Sequence, residues 1–322
     1  MNPSSWIRSL LSTQGPFLGI EIGSDWITGV CIVKSRLGPL VWAHSIETLG
    51  DQVITPRLNG KNVQDIDSLV EKLKMMLERL SGHSKKVALV VPDNVAKVSF
   101  VKFSQVPERS QDLDQLIRWK IRKTVPFQSE DAQVSYVRIS SKEEAAQEFI
   151  VAVIRRDIVQ EYEQVCRSAG LYAGMIDLAS FNHINSVLCG RSKSVETTDW
   201  LFVNAQSNYS TIAIIRSGTL RAFRTLPSES EEELEDLVHQ TAMYYEDRLG
   251  GRRFDFAVLV DGFDSRKDDQ GYGDSLQKRL ENCLRTNVES VDLARVVRSA
   301  TSVRAVPEAL NRLAAPIGLL IR

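Results

Sequence analysis

Short apolar runs broken by polar turns dominate the chain, and their spacing predicts alternating strands and helices. Residues 17–48 read as two or three adjacent strands, with Gly38-Pro39 turning the chain before Leu40–Ala43. Residues 49–64 are loop-like and carry Pro56 and Asn59-Gly60. Ile66, Leu69, Val70, Leu73, Leu77 and Leu80 then share one stripe, which predicts a helix over 66–80 ended by Gly82. Val87–Val91 is a fully apolar strand stopping at Pro92-Asp93-Asn94.

From 93 to 155 the pattern changes character. A strand of mixed faces, Val98–Phe103, precedes Pro107 and Ser110 and a helix over 112–123. Leu113, Leu116, Ile117 and Ile121 form its apolar side, while Arg118, Lys120, Arg122 and Lys123 crowd it with positive charge and Pro126 ends it. Val134–Ile139 and Phe149–Ile154 are further strands, so 93–155 reads as a small strand–helix–strand–strand insertion. Asp157 is placed to cap a helix running to Gly170, a left-handed stop.

Residues 190–199 are polar and patternless and mark the boundary between two halves. Strands follow at Trp200–Val203, Ser210–Ile215 and Leu220–Thr225. Ser230 and Glu233 form a capping box for a helix carrying Leu234, Leu237, Val238, Thr241, Tyr245 and Leu249. Ala257–Val260 is a buried strand, Asp264 to Asp274 a polar loop, and Leu276–Leu284 a helix. The last element, Pro307 to Ile321, reads as an apolar helix broken near Pro316-Ile317-Gly318.

Within this pattern one motif occurs twice. Residues 21–28 (EIGSDWIT) are echoed by 204–211 (NAQSNYST), each between two apolar runs. Glu21 aligns with Asn204, Ser24 with Ser207, Asp25 with Asn208, Trp26 with Tyr209 and Thr28 with Thr211, although Val203 is an alternative partner for Glu21. Each half thus opens with strand, polar turn and strand.

Composition narrows the class. The 322 residues fit two domains or one bilobal unit, and 43% apolar with 25% charged residues is ordinary for a globular core. A net charge of −1 gives no electrostatic case for nucleic acid or an acidic membrane. Cys31, Cys166, Cys189 and Cys283 are scattered beside apolar patterns, as expected of reduced, buried thiols. No apolar run approaches the roughly 18 residues of a spanning helix. Trp6, Ile7, Leu10 and Leu11 make residues 1–16 a frayed or weakly amphipathic leader.

Familiar catalytic signatures are missing. The sequence has no Walker-type phosphate loop, no Gly-x-Gly-x-x-Gly dinucleotide turn and no Gly-x-Ser-x-Gly elbow. His44, His83, His183 and His239 are far apart, with no zinc-like spacing, and His183 and His239 on their helices read as ordinary surface or core residues.

Phe17 to Ser24 (FLGIEIGS) resembles the first phosphate turn of the actin-like ATPase superfamily, usually apolar-Gly-Ile-Asp-Ile-Gly-Ser. Glycine there allows backbone N–H groups to approach phosphate, and the carboxylate holds hydrated magnesium. Trp119 to Phe127 (WKIRKTVPF), Glu130-Asp131 and Tyr136 resemble a stretch of the PilM family, the actin-like cytoplasmic proteins of type IV pilus assembly. Val106-Pro107, Tyr244-Tyr245 and the ending Ala314 to Arg322 (AAPIGLLIR) fit the same family.

The resemblance implies an α/β, two-lobed actin-like ATPase (ribonuclease H-like) fold with a small subdomain inserted in the first lobe. The first-lobe core is then 17–92 and 156–189, the insertion 93–155, the linker 190–199, the second lobe 200–305, and 306–322 a closing helix packing back on the first lobe. It further implies a cytoplasmic platform, peripheral at the inner membrane through its partners. That platform captures the N-terminal tail of a PilN-like single-span protein, and other pilus-assembly components join the partners. Arg118, Trp119, Arg122 and Phe127 are the partner-binding candidates; a solvated helix face (Arg118, Arg122) and subdomain core (Trp119, Phe127) are the plain alternatives.

For ATP with magnesium, the resemblance assigns Glu21, Gly23, Ser24, Asp25, Thr28, Asn204, Gln206, Ser207, Asp261 and Gly262, with Glu21 holding the metal through water. Several depart from the family pattern. Glu21 replaces aspartate, and Thr28 replaces a usual lysine. Asn204-Ala205-Gln206 stands for Asp-Ile-Gly, and Asp261-Gly262 for Gly-Gly. These departures predict weakened or absent ATP hydrolysis. The alternative is an active actin-fold ATPase or filament protein with an unusual Mg-ATP site.

Overall fold

The structure, a computed structural model, describes residues 18–35, 38–80, 84–139, 146–191, 197–227, 231–262, 275–299 and 307–322. The expected leader, the polar loop 264–274, Gly82 and Ser230 of the capping box lie outside these residues.

Two large sheets repeat one plan. In the first half, β1 (Leu18–Ile22) runs antiparallel to β2 (Trp26–Ser35), which pairs antiparallel with β3 (Gly38–Thr48). On the other side of β1 lie β4 (Lys86–Val91) and β8 (Tyr172–Leu178), both parallel. The second half repeats this with β9 (Asp199–Ala205), β10 (Ser210–Arg216), β11 (Thr219–Leu226), β12 (Phe256–Asp261) and β13 (Val288–Glu289), ordered β11-β10-β9-β12-β13. A short β14 (Arg298–Ser299) returns to the first sheet, pairing with β3 at Leu40 and Val41. The central strands are covered on both faces, so β1 and most of β4 are buried along their length.

Between β4 and the next helix of the first half stands a separate three-stranded sheet. It is made of β5 (Ala96–Phe103), β6 (Ala132–Arg138) and β7 (Gln147–Arg155), ordered β5-β7-β6 and antiparallel throughout. The helix carried with it, α2 (Ser110–Ile121), buries Ile117 and Ile121. It stops two residues before the expected end, so Arg122 and Lys123 lie beyond its last turn.

The remaining helices flank the large sheets. Helix α1 (Ile66–Arg79) is capped by Asp65, whose side chain accepts the Ser68 N–H, and it buries Leu69, Val70, Leu73, Met76 and Leu77. Helix α3 (Arg156–Ser168) starts from Arg155 rather than Asp157, which sits in the first turn and pairs with Arg155. Helices α4 (Ala179–Gly190), α5 (Glu231–Leu249), α6 (Leu276–Leu284) and α7 (Pro307–Leu320) complete the set.

The expected break near Pro316 does not occur, and α7 continues through it. Neighbouring α4 supports the helix: Ser186 donates to the Ala314 carbonyl at 2.8 Å and Asn185 to the Gly318 carbonyl at 2.6 Å. A side chain at Gly318 would overlap the Asn182 carbonyl, so glycine sets how closely the two helices approach. One apolar core spans both halves, from Leu18 and Ile20 to Trp200 and Phe202. Cys31 and Cys166 are buried as expected, but Cys189 is exposed, because it lies near the outer end of α4.

Candidate functional site

The repeated motif forms two turns of the same geometry. Gly23 N–H donates to the Trp26 carbonyl at 2.9 Å, and Gln206 N–H to the Tyr209 carbonyl at 2.9 Å. Glu21 lies opposite Thr28 in the β1–β2 pair, and Asn204 opposite Thr211 in the β9–β10 pair. Glu21 therefore corresponds to Asn204 and Gly23 to Gln206; Val203, which faces Ile212, is not the counterpart.

The two turns touch. Ser24 Oγ donates to Asn208 Oδ1 at 3.2 Å, and Ser207 Oγ donates to Asp25 Oδ2 at 2.7 Å. Ser24 corresponds to Ser207 and Asp25 to Asn208, so this is one contact made twice, once from each side.

Beneath the turns lies a buried polar cluster centred on Asp93, just beyond β4 and 0% exposed. Its carboxyl accepts the Ser180 N–H at 2.9 Å, the Ser180 hydroxyl, the Thr211 hydroxyl at 2.8 Å and the Asn204 amide at 3.2 Å. Ser180 lies in the first turn of α4, so Asp93 satisfies an N–H left over at the positive end of that helix. Asn204 also donates to Ser180 Oγ at 3.0 Å and accepts from Gln206 Nε2 at 2.6 Å. These three bonds fix which way the Asn204 amide points. The Tyr209 hydroxyl accepts the Asp93 backbone N–H at 3.4 Å, and Thr225 shares a hydroxyl contact with Thr211 at 2.9 Å.

Glu21 is 7% exposed, on the β1 face that α7 covers. Burial, and then the charge of Asp93, push its carboxyl up to about 8, with the Arg312 guanidinium opposing. At neutral pH Glu21 is mostly uncharged. Burial also raises Asp93, against the pull of its own hydrogen bonds. The Thr28 hydroxyl is buried without a hydrogen-bond partner, and Arg312 stacks 4.7 Å over the Trp26 ring.

Gly262 adjoins the second turn, its N–H donating to the Ala205 carbonyl at 2.7 Å. A Cβ there would lie 2.6 Å from Gln206 Oε1, so the Gln206 side chain fills the space beside it. Asp261 pairs with Ala205 at the end of β12. The structure thus gathers the first-turn candidates, the second-turn candidates and Gly262 into one place.

The partner-binding candidates lie elsewhere, on the inserted subdomain. Arg118 is bound to Asp114 at 2.7 Å and to the carbonyls of Ser129 and Ala132 at 3.3 and 3.2 Å, so it ties α2 to the neighbouring segment. Trp119 is 58% exposed, with Arg122 5.7 Å from its ring centre; it is not core. Phe127 is half-buried against the subdomain's apolar cluster.

Asp93, Ser180, Tyr209 and Thr211 were absent from the sequence-derived site. Asp93 carried a usable signal, a carboxylate at the carboxyl end of a buried parallel strand, where open α/β sheets place their sites. Ser180 carried none, because its role depends on the approach of α4.

A family model for the type IV pilus assembly protein PilM matches residues 19–220, more than half of the chain. The chain belongs to the PilM family. The solved PilM–PilN type IV pilus biogenesis complex is similar over 96% of this PilM-family chain and 98% of that one, with a TM-score of 0.78 at 16% identity. A Bacteroides thetaiotaomicron protein with an actin-like ATPase fold and unknown function gives 0.47 at 12% identity, covering 85% and 89% of the two chains. The cytoplasmic domain of EpsL, from the Vibrio cholerae type II secretion system, gives 0.47 at 10%, covering 84% and 94%. No curated protein sequence matches the chain. The fold is that of the actin-like ATPases.

That fold implies magnesium and ATP between two such turns, and the residues of this PilM-family chain do not fit them. The turns are hydrogen-bonded to each other. The second-turn carboxylate is an amide already committed to Asp93, Ser180 and Gln206. Where the first turn has glycine, the second has Gln206, packed against Gly262. Glu21 is buried beside Asp93 and is one methylene longer than the aspartate it replaces.

Proposed function

We propose that this chain is a cytoplasmic platform of a type IV pilus or related assembly machine. It holds the N-terminal tail of a PilN-like inner-membrane protein, with ATP hydrolysis weakened or absent. The observation that carries this reading is the contrast between frame and site. The actin-like frame is kept over nearly the whole chain, while the residues facing the phosphate position are spent on one another. The likeness to a PilM solved together with PilN supports the choice of partner. Among the described residues no helix is long and apolar enough to cross a membrane. Attachment through the partner is part of this proposal.

For the contact itself, the exposed Trp119 stacked with Arg122 is the strongest of the four candidates. An exposed tryptophan beside a cation offers apolar area and a charged rim together. Arg118 and Phe127 support that surface from within. The test is a binding titration with a synthetic peptide of the cytoplasmic tail of a PilN-like single-span protein from the same organism. Saturable binding that weakens about tenfold in Trp119→Ala, with unchanged thermal stability, is the expected result. Absence of binding refutes the platform, and wild-type affinity in both Trp119→Ala and Arg122→Ala refutes the contact site.

A further inference from the structure

In an actin-like frame the ligand lies between the two turns and ties one half to the other. Here side chains cross that gap. Asp93 and Ser180 come from the first half, Asn204 and Thr211 from the second, and their bonds are buried. Above them the reciprocal Ser24–Asn208 and Ser207–Asp25 bonds join the tips of the turns. We infer that these bonds form a built-in polar latch that holds the two halves closed without a nucleotide.

The chemistry is a substitution of donors. An aspartate at 204 would face Asp93 across about the distance of the present 3.2 Å bond, and two carboxylates at that range need a cation or a shared proton. Asn204 supplies N–H groups in place of the cation. Gln206 holds that amide in the donating orientation by occupying its oxygen. The glycine normally kept clear for phosphate is thereby replaced by the residue that locks the substitute. Both changes serve one end: Asn204 donates to Asp93 and Ser180, and Gln206 satisfies the Asn204 oxygen left facing away from them.

The pseudo-symmetry of the tips has the same logic. A self-complementary contact between equivalent surfaces makes each favourable bond twice. The serine and its Asp or Asn neighbour recur in both turns, so one geometry yields two bonds. A phosphate group entering between the turns must break both and displace Gln206. The latch is independent of which tail or partner the platform holds.

The test is hydrogen exchange on the full chain, followed by mass spectrometry of peptides covering 22–28 and 204–211. In the wild type, slow exchange that is unchanged by saturating Mg-ATP is expected. Slowing of these peptides on addition of Mg-ATP overturns the latch. The Ser24→Ala, Ser207→Ala double variant is expected to exchange there about tenfold faster, with the three-stranded sheet unaffected. Wild-type exchange in a folded double variant also overturns the latch. If the double variant fails to fold, Ser207→Ala alone is read against the same two outcomes, alongside the wild-type response to Mg-ATP.

Discussion

The turn at Gly23–Trp26 and the turn at Gln206–Tyr209 have the same backbone bond and the same strand register, yet they do different work. The first keeps a carboxylic acid, Glu21, whose behaviour is governed by burial and neighbouring charge rather than by hydrogen bonds. The second has an amide, Asn204, with its donors and acceptor all engaged. Backbone geometry is set by strand pairing and tolerates changes in the facing side chains. What the turn can bind is set by which polar atoms remain unspent. One turn has kept an acid and the other has given its polar atoms to the fold.

The largest way to break this comparison is to make the second turn resemble the first. Asn204→Asp puts a carboxyl against Asp93 and removes two hydrogen bonds, and should cost about 3–5 kcal/mol in denaturant unfolding at neutral pH. The loss should shrink under acid, where the pair shares a proton. A neutral effect would show that the amide is not what the cluster requires.

The converse change, Glu21→Gln, should stabilise the protein at alkaline pH. Glu21 rises from 4.5 to about 8 on folding, so the folded state holds a proton that the unfolded state releases. Its contribution is full below 4.5 and is lost as pH rises through 8, by up to about 1.4 kcal/mol per pH unit. Buried His183 has the opposite sense, falling from 6.5 to about 3, so it removes stability as pH drops below 6.5. The two slopes offset one another between 4.5 and 6.5, which places a stability plateau there. Thermal melts across pH 4–9 check this. Glu21→Gln should flatten the alkaline side, turn the plateau into a fall that begins as pH drops below 6.5, and leave the slope below 4.5 unchanged.

Gln206→Gly restores the glycine of the first turn, and should cost about 1–2 kcal/mol by leaving Asn204 Oδ1 without its donor. Chemical denaturation measures it, and the penalty should persist in the Asn204→Asp background, where a carboxylate oxygen still accepts from the Gln206 amide. The smallest effects belong to the tips. Ser24→Ala and Ser207→Ala should each cost about 0.5–1 kcal/mol and should be alike within error. A large inequality would show that the two tip bonds are not equivalent halves of one contact.

Much of the architecture was legible along the chain. The fully apolar run Val87–Val91, the stripe from Ile66 to Leu80 and the repeated turns specified elements through local periodicity. Helix limits were less so. Asp157 looked like a cap, but Arg155 takes that position, and Asp157 binds Arg155 instead. Pro316 looked like a break, but helix α4 supplies bonds that stabilise α7 through it. Periodicity could not choose between Trp119 as a partner-binding candidate and Trp119 as core; it is exposed, since α2 turns Ile117 and Ile121 inward.

By itself, the sequence determined the alternation of strands and helices, the internal repeat and the residues that depart from a nucleotide turn. Those are local properties, fixed by side-chain type and spacing. Only the tertiary structure decided what the departures are for. Asp93 reaches Ser180 across 87 positions and Asn204 across 111, and Ser24 meets Asn208 across 184. A hydrogen bond needs its partners within about 3 Å in a definite direction, and no periodicity along a chain encodes that meeting. Packing of the two halves turned scattered serines, amides and one buried aspartate into a single network.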